Sequence, residues 1–463
     1  MKRLILIAVA LLLPLFAIAQ ADDSPAPTLL TLEDALRIAL SENASVQVAD
    51  MEIERMGYAR KGTYASLFPQ VSGSGSFQRT IKKQVMYMDF DIGGGGGTGG
   101  GFEVGRWNTW SMGLSASMPL VNAQLWKRLR VSGEDVELAV EKARSSRLET
   151  VNQVKQAFFA CLLAKEAFAV YKSAYENALA NCEQIQRRYN AQKASELDLT
   201  RAKTTLANAI PNVYDSESAV ILALWQLKAV MGVSLDANLD VAGDLDDYAE
   251  HMLYDIQAGE QFSLEDNSTM RQLAIQAEQL ADAVKIQKYA YLPTLSLSFN
   301  YSLNAMANDF VFSEYRWSPY SFVGISLSVP IFSGGQRLNA VRQARVQAQE
   351  LDVQRVNTER QLKIAIRQYL NQMETAMKSF SSARTAAETA QKAYDIAAKS
   401  YDVGRSTLTD LNDAQYALTQ SQLGVCQAIY SFVVAKASLE NTLGADFIDA
   451  DGQVQLNKTY THE

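Results

Sequence analysis

Tyr401-Asp-Val-Gly404-Arg405-Ser-Thr407-Leu-Thr-Asp410-Leu-Asn-Asp413-Ala414 is the stretch from which the rest of the chain can be read. It is a break between two helical patterns. Gly404 supplies a stop, because glycine takes the left-handed backbone of a helix C-terminus at little cost, and Thr407 can cap the helix that follows. The same break is written earlier as Tyr189-Asn-Ala-Gln192-Lys193-Ala-Ser195-Glu-Leu-Asp198-Leu-Thr-Arg-Ala202, with Ser195 in the capping position. Tyr189 and Tyr401, Asp198 and Asp410, Ala202 and Ala414, and Gly232 and Gly444 all share an offset of 212 residues.

Working outward, the helical patterns on either side of both breaks are long. Leu362, Ile366, Tyr369, Met373, Ala376, Phe380, Ala383, Ala387, Ala390, Tyr394, Ala397 and Tyr401 alternate spacings of four and three. Val154, Ala157, Cys161, Ala164, Phe168, Tyr171, Tyr175, Ala178, Cys182, Ile185 and Tyr189 keep the same frame. Such a stripe, rich in alanine, predicts coiled-coil packing with close helix approach. Helices are expected over about 32–66, 123–190, 196–231, 263–290, 334–402 and 408–443. A helix over 334–402 would be about 100 Å long at 1.5 Å per residue. The chain has nine prolines, and none after Pro330, so little interrupts these segments. Pro211 is the exception, inside a helical pattern, where a kink is expected.

Between the helices lie strand pairs, about 70–119 and 294–329, bounded by Phe68-Pro69-Gln70-Val71 and Leu292-Pro293-Thr294-Leu295, and by Met118-Pro119-Leu120 and Val329-Pro330-Ile331. Leu295, Leu297, Phe299, Tyr301 and Leu303 alternate with Ser296, Ser298, Asn300 and Ser302. Trp110, Met112, Leu114, Ala116 and Met118 alternate with Ser111, Gly113, Ser115 and Ser117. One apolar and one hydroxyl face suits a membrane barrel with a wet interior, with a soluble sandwich edge as the lesser alternative. Four strands cannot close a barrel, so the membrane reading demands several copies. Tyr87, Phe90, Trp107, Tyr315, Trp317 and Tyr320 stand at the loop ends, where an interfacial aromatic girdle would lie.

The chain therefore reads as a duplication of about 200 residues, too long a period for a solenoid. Residues 1–19 read as a secretory signal: Lys2 and Arg3, an apolar run from Leu4, and Ala17-Ile18-Ala19 before the cut, with Ala21 as the alternative site. The first repeat is 20–262, with a segment about 233–262 after its last helix. The second is 263–463, with a tail about 445–463.

Composition removes other classes. With Lys+Arg 43 against Asp+Glu 51, the net charge is −8, and without basic blocks no nucleic-acid partner is expected. No run of eighteen apolar residues follows residue 21, so no helix is expected to span a bilayer. His251 and His462 are far apart with no ligand cluster, and Cys161, Cys182 and Cys426 suggest no disulfide framework. No metal, no cofactor and no enzymatic constellation are expected. The glycines from Gly93 to Gly101 read as a hairpin loop rather than a phosphate cradle. Asp449-Ala450-Asp451-Gly452 fails as a calcium loop, since Phe447 and Lys458 would fall at its first and twelfth positions.

Taken together, the duplicated helix–hairpin–helix–helix units, the proline-marked strand boundaries and the YxxGxxxxxDxxDA-like tip resemble the TolC family of bacterial outer-membrane efflux and secretion channels, over essentially the whole mature chain. The resemblance implies a mainly α fold with a membrane β-barrel portion. Long antiparallel coiled-coil helices would form an α-barrel across the periplasm, and four strands per protomer would complete a twelve-stranded barrel in a homotrimer. It implies a passive exit duct in the outer membrane, bedded in outer-membrane lipid and served by a periplasmic adaptor (membrane fusion) protein and an inner-membrane transporter of RND, ABC or MFS type. Asp410 and Asp413 match the family's acidic constriction. Residues three apart share a helix face, and threefold rings of carboxylates favour cations; a solvated or capping pair is the other reading. Asp198 and Tyr401 match a latch at the closed tip, while Tyr401 also fits the core stripe. Gly404, Arg405, Gln192 and Lys193 would face the adaptor. The sequence departs from the family at Gln192, where glycine is usual, and at Arg405, one place early. A non-conducting periplasmic or surface coiled-coil protein is the alternative; it leaves the serine-alternating strands unexplained.

Overall fold

The computed structural model describes residues 28–87, 101–249 and 263–444. The signal, the C-terminal tail, both histidines, Phe90 and most of the glycine run lie outside them. The fold is mainly helical with a few strands. Two compact units are built from the described parts of Met1–Ala39, Val154–His251 and Ser379–Tyr430, and of Leu40–Gln153, Met252–Lys378 and Ser431–Glu463.

In the first unit, β1 (Thr28–Leu30) pairs in parallel with β6 (Leu239–Val241) beside α1 (Leu32–Glu42). Leu36, Phe158, Leu162, Leu227, Met231 and Leu245 are fully buried. The β6 strand is held down by Lys165, which reaches the Val241 carbonyl at 2.8 Å and Asp240 at 2.7 Å. Tyr248, in a short 3-10 turn, meets Phe159 edge-on at 4.9 Å.

The second unit carries a four-stranded antiparallel sheet of β2 (Gln70–Arg79), β5 (Asn108–Val121), β7 (Thr294–Ala307) and β8 (Ser318–Ser328), in that order. Its register keeps unlike side chains apart. Leu114 lies opposite Gly73 and Tyr301, and Leu297 opposite Met118 and Ile325. One residue on, Ser115 lies opposite Ser72 and Asn300. Ser72 and Ser115 share a hydrogen bond of 2.8 Å. Since strand side chains alternate with period two, these rows of β2, β5 and β7 alternate between apolar and hydroxyl-lined, and β8 breaks the pattern with Ser321 opposite Tyr301 and with Phe322 and Tyr320 opposite Asn300 and Ser302. The apolar face is exposed: Val71, Val323, Ile325 and Leu327 are each more than 60% accessible. Outside this sheet, β3 (Gln84–Met86) and β4 (Phe102–Val104) form a small hairpin flanking the glycine-rich segment.

At the loop end, Phe77 packs on Trp110 at 4.4 Å, Trp110 on Phe312 at 5.2 Å and Phe312 on Tyr315 at 5.0 Å. Of the residues expected in the girdle, Tyr315 belongs to this cluster, whose other members are Phe77, Trp110 and Phe312. Tyr320 lies opposite Ser302 on the hydroxyl face and packs on Phe322, because the parity of β8 puts it there.

The long helices follow the sequence pattern closely: α3 spans Ala123–Asn190, α4 Glu196–Met231, α6 Gln336–Asp402 and α7 Leu408–Leu443. The stripe residues Val154, Cys161, Ile185, Ile366, Met373, Leu411 and Phe432 are buried. Helix α4 runs through Pro211 without interruption. The segment expected as one helix over 32–66 is two, α1 and α2 (Ala44–Ala65), because Asn43 accepts hydrogen bonds from the Ser45 and Val46 N–H groups and starts a new helix. The helix expected from 263 begins at Ser268 as α5 (Ser268–Tyr289), capped by Asn267.

Two polar junctions secure the second unit. Arg144 donates to Asp266 O at 3.0 Å and to Gly444 O at 2.7 Å, closing the last turn of α7 against the start of α5. Gly444 has φ 74°, and a Cβ there would meet the Asp266 carbonyl. Near the sheet, Asp282 is 3% exposed and paired with Lys127, with Lys285 at 2.8 Å and with Arg130 at 3.5 Å. Burial opposes its charge, but the hydrogen bonds from Lys127 and Lys285 outweigh that and hold its pKa below the usual carboxylate range.

Candidate functional site

The two breaks fold alike. At the first, the Gln192 N–H donates to Tyr189 O and the Lys193 N–H to Arg188 O, both at 2.8 Å. At the second, the Gly404 N–H donates to Tyr401 O at 3.1 Å and the Arg405 N–H to Ser400 O at 2.8 Å. Each is a Schellman turn, which satisfies the last helical carbonyls only if one residue turns left-handed. Gly404 does so with φ 74°, and Gln192 with φ 60°, the one positive-φ residue other than glycine among those described.

Each turn is followed by a side-chain N-cap, and at the second it is a full capping box. The Thr407 N–H and hydroxyl donate to Asp410 Oδ2 at 2.9 and 2.7 Å, and the Asp410 N–H donates back to Thr407 Oγ1 at 3.2 Å. Ser195 and Asp198 repeat the hydroxyl-to-carboxylate bond at 2.7 Å and the return bond at 3.0 Å. These pairs tie off the free N–H groups of α7 and α4. The Thr407 hydroxyl, then its N–H, hold the Asp410 pKa below the usual range. Asp410 and Asp413 are both exposed on the first turns of α7.

Tyr401 is half-buried against Cys182, Ile185, Leu199, Ala202 and Leu408. Burial raises its pKa; the nearby Asp198 and Asp402 push the same way, while Arg188 opposes them. Of the two residues expected in the latch, Tyr401 packs in this cluster and Asp198 is hydrogen-bonded to Ser195. The expected adaptor-facing residues Gln192, Lys193, Gly404 and Arg405 are all exposed in the two turns.

Three residues were missed in the sequence. The Arg188 guanidinium donates to Tyr401 O at 3.2 Å, to Asp402 O at 3.0 Å and to Asp402 Oδ1 at 3.2 Å. It also lies 5.2 Å from the Tyr401 ring centroid. Gln184 donates to the same Asp402 carboxylate. Arg188 and Gln184 are one turn apart on α3, a faint signal for a shared acceptor. Among the described residues no group of His, Cys, Asp or Glu is arranged to hold a metal.

Comparison with known proteins follows from this geometry. The family model for outer membrane efflux proteins matches residues 35–233 and 261–445. The alkaline protease secretion protein AprF of Pseudomonas aeruginosa is 24% identical over 415 residues, covering 89% of this chain and 83% of that protein. The cobalt-zinc-cadmium resistance protein CzcC of Cupriavidus metallidurans is 24% identical, covering 96% of this chain and 100% of that protein. Among solved structures, the CmeC outer membrane channel of Campylobacter jejuni superposes with a TM-score of 0.70 at 19% identity, covering 92% of this chain and 87% of that one. The fold is shared, the family model spans both halves, and the chain belongs to the outer membrane efflux protein family.

Proposed function

We propose that three copies of this outer-membrane efflux protein form a passive exit duct, twelve strands closing a barrel in the outer membrane and the helices continuing it through the periplasm. The observation that carries this reading is the sheet. Its apolar face is exposed, its opposite face is lined mainly with hydroxyls, and among the described residues β2 and β8 leave both edges unpaired. Unpaired edges are not tolerated in lipid, so the sheet must be completed by further copies. The first 19 residues act as the export signal, and 20–262 and 263–463 act as two repeats. A periplasmic adaptor and an inner-membrane transporter of RND, ABC or MFS type deliver the cargo, engaging the turns at Gln192, Lys193, Gly404 and Arg405.

At those turns Asp410 and Asp413 line the constriction, and Asp198 with Tyr401 latches it. The capping role of Asp410 is compatible with this, because the box uses Oδ2 alone and the carboxylate stays charged and exposed. In planar bilayers, Asp410→Ala with Asp413→Ala is expected to lower cation preference; unchanged selectivity would remove both from the pore. Unboiled gels of outer membranes are expected to show a trimer, and a soluble periplasmic monomer would sink the duct.

A further inference from the structure

We infer that a cleft between α2 and α3, next to the sheet, binds the phosphate headgroup of an anionic phospholipid, with Arg60 and Lys61 as its cations and with Phe68 and Val71 leading to the acyl chains. This rests on the exit-duct reading, which puts the apolar face of the sheet in the bilayer, and it names the class of lipid that the junction of helices and sheet selects.

The four segments that join helices to the sheet, 56–69, 122–133, 283–293 and 330–349, carry ten Lys or Arg and no Asp or Glu, in a chain whose net charge is −8. Helix dipoles explain only part of this excess. α2 and α5 end at the sheet, where cations suit the negative C-terminal ends, but α3 and α6 begin there, where acids are favoured and cations are not. Neither α3 nor α6 has an acidic residue in its first turn, and Arg337 stands in the first turn of α6. Internal pairing accounts for Lys127, Arg130 and Lys285, which surround Asp282. Arg60 and Lys61 answer no acid. Both are exposed, and neither side chain makes a hydrogen bond or ion pair among the described residues. Each lies over a tyrosine ring instead, Arg60 at 5.9 Å from the Tyr64 centroid and Lys61 at 5.2 Å from that of Tyr58. Such a seat holds a cation in place and leaves its N–H donors open.

Shape supplies the rest of the site. A cleft of about 490 Å³ is lined by Gly57, Arg60, Lys61, Tyr64 and Phe68 of α2 and the turn after it, and by Val136 of α3. Gly57 leaves the cleft open, with nothing within 4 Å of an added Cβ. Arg60 crosses to α3, its guanidinium carbon 3.9 Å from where a Cβ on Gly133 would stand. Trp126, Arg130 and Gly133 share one ridge of α3 by their spacing of four and three, so the half-exposed Trp126 and the largely exposed Arg130 border the same side. On α2 the ridge of Gly57, Lys61 and Tyr64 runs toward the sheet and on to Phe68, three residues short of Val71 on the apolar face. Phe68 is 65% exposed and Val71 71%. Cations about two turns from a bare apolar surface match a phosphate and its acyl chains in order. A soluble anion or an acidic peptide has no use for the apolar end.

The test uses purified full-length protein in a neutral detergent, read by native mass spectrometry. It is titrated with dioleoyl-phosphatidylglycerol, with the zwitterionic dioleoyl-phosphatidylcholine and with soluble glycerol 3-phosphate. Phosphatidylglycerol is expected to bind roughly ten- to thirtyfold more tightly than phosphatidylcholine, and by less as salt rises. Arg60→Gln with Lys61→Gln should remove that preference and leave phosphatidylcholine binding unchanged. Gly57→Leu should weaken phosphatidylglycerol binding by a similar factor with every charge in place, since leucine suits a helix better than glycine and fills the cleft. Each variant is first checked as a trimer in unboiled gels; if the glutamine pair fails that check, Gly57→Leu decides. Binding that ignores the headgroup, or phosphatidylglycerol binding that either folded variant leaves unchanged, overturns the site and leaves the duct standing. Glycerol 3-phosphate binding as tightly as the lipid gives the cleft to a free anion and overturns the site as well. An unaltered chain that stays a soluble monomer and takes up neither lipid overturns the duct and this site with it.

Discussion

Gln192 and Gly404 hold the same place in two matching turns, and both are left-handed, with φ 60° and 74°. For glutamine this conformation is strained by roughly 1 kcal/mol, since its Cβ crowds the neighbouring carbonyl. Gln192→Gly is therefore expected to stabilise the protein by about 1 kcal/mol, and Gly404→Gln to destabilise it by a similar amount. Denaturant unfolding of both variants checks the pair; equal effects of the same sign would contradict it.

Gly444→Ala should be far more damaging than Gly404→Ala. At Gly404 an added Cβ meets nothing within 4 Å, whereas at Gly444 it meets the Asp266 backbone, including the carbonyl carbon at 2.7 Å. Overpacking together with a left-handed alanine is expected to destabilise by about 2–4 kcal/mol. The yield of folded protein and its melting temperature read this out.

Asp282→Ala leaves Lys127, Lys285 and Arg130 around an empty acceptor site and should destabilise by about 3–5 kcal/mol. Replacing the pair together, Asp282→Leu with Lys127→Met, should restore much of that loss, and a double-mutant cycle measures the difference.

The pH dependence has a definite sign. Asp282 and Asp410 both have lowered pKa values in the folded protein. Their contribution is therefore complete above the ordinary carboxylate range and is lost as pH falls through the folded values. Thr407→Val removes the hydroxyl bond, so the Asp410 pKa should rise toward its ordinary value, which carboxyl-carbon NMR can follow.

Burial pushes the Cys161 thiol up to about 12 and the Cys426 thiol up to about 11. Both should stay unlabelled by maleimide at pH 8 in the folded protein and react once it is denatured, because the thiolate is the nucleophile. Stability from these buried thiols should fall only above about pH 8.5, where the unfolded chain begins to ionise.

The long helices were legible because an unbroken spacing of three and four over ten or more positions leaves no competing period, and because Ser195, Gly404 and Thr407 mark their ends. The strands were legible because serine alternates with bulky apolar residues. Asn43 was harder: Ala35, Leu36, Ala39 and Val46 keep one helical face across it, so the apolar pattern conceals a cap that the Asn-Ala-Ser triplet did offer. Arg188 left only a faint trace, its one-turn spacing from Gln184. Its partners are more than 200 positions away, and a salt bridge leaves no period in a sequence. For Asp410 the sequence allowed both a cap and a pore lining; the hydrogen bonds to Thr407 establish the first, and the second is the proposal made above.

The unpaired edges of β2 and β8 also bear on how such a molecule comes into being. On the proposed oligomeric barrel, a protomer with unpaired edges would have no stable stopping point between water and bilayer, so insertion and oligomer formation would belong to a single kinetic event. Its rate should climb steeply with the local supply of newly exported chains. Any holding factor that shields those two strands would then set the pace of biogenesis more than the intrinsic folding speed of the helices.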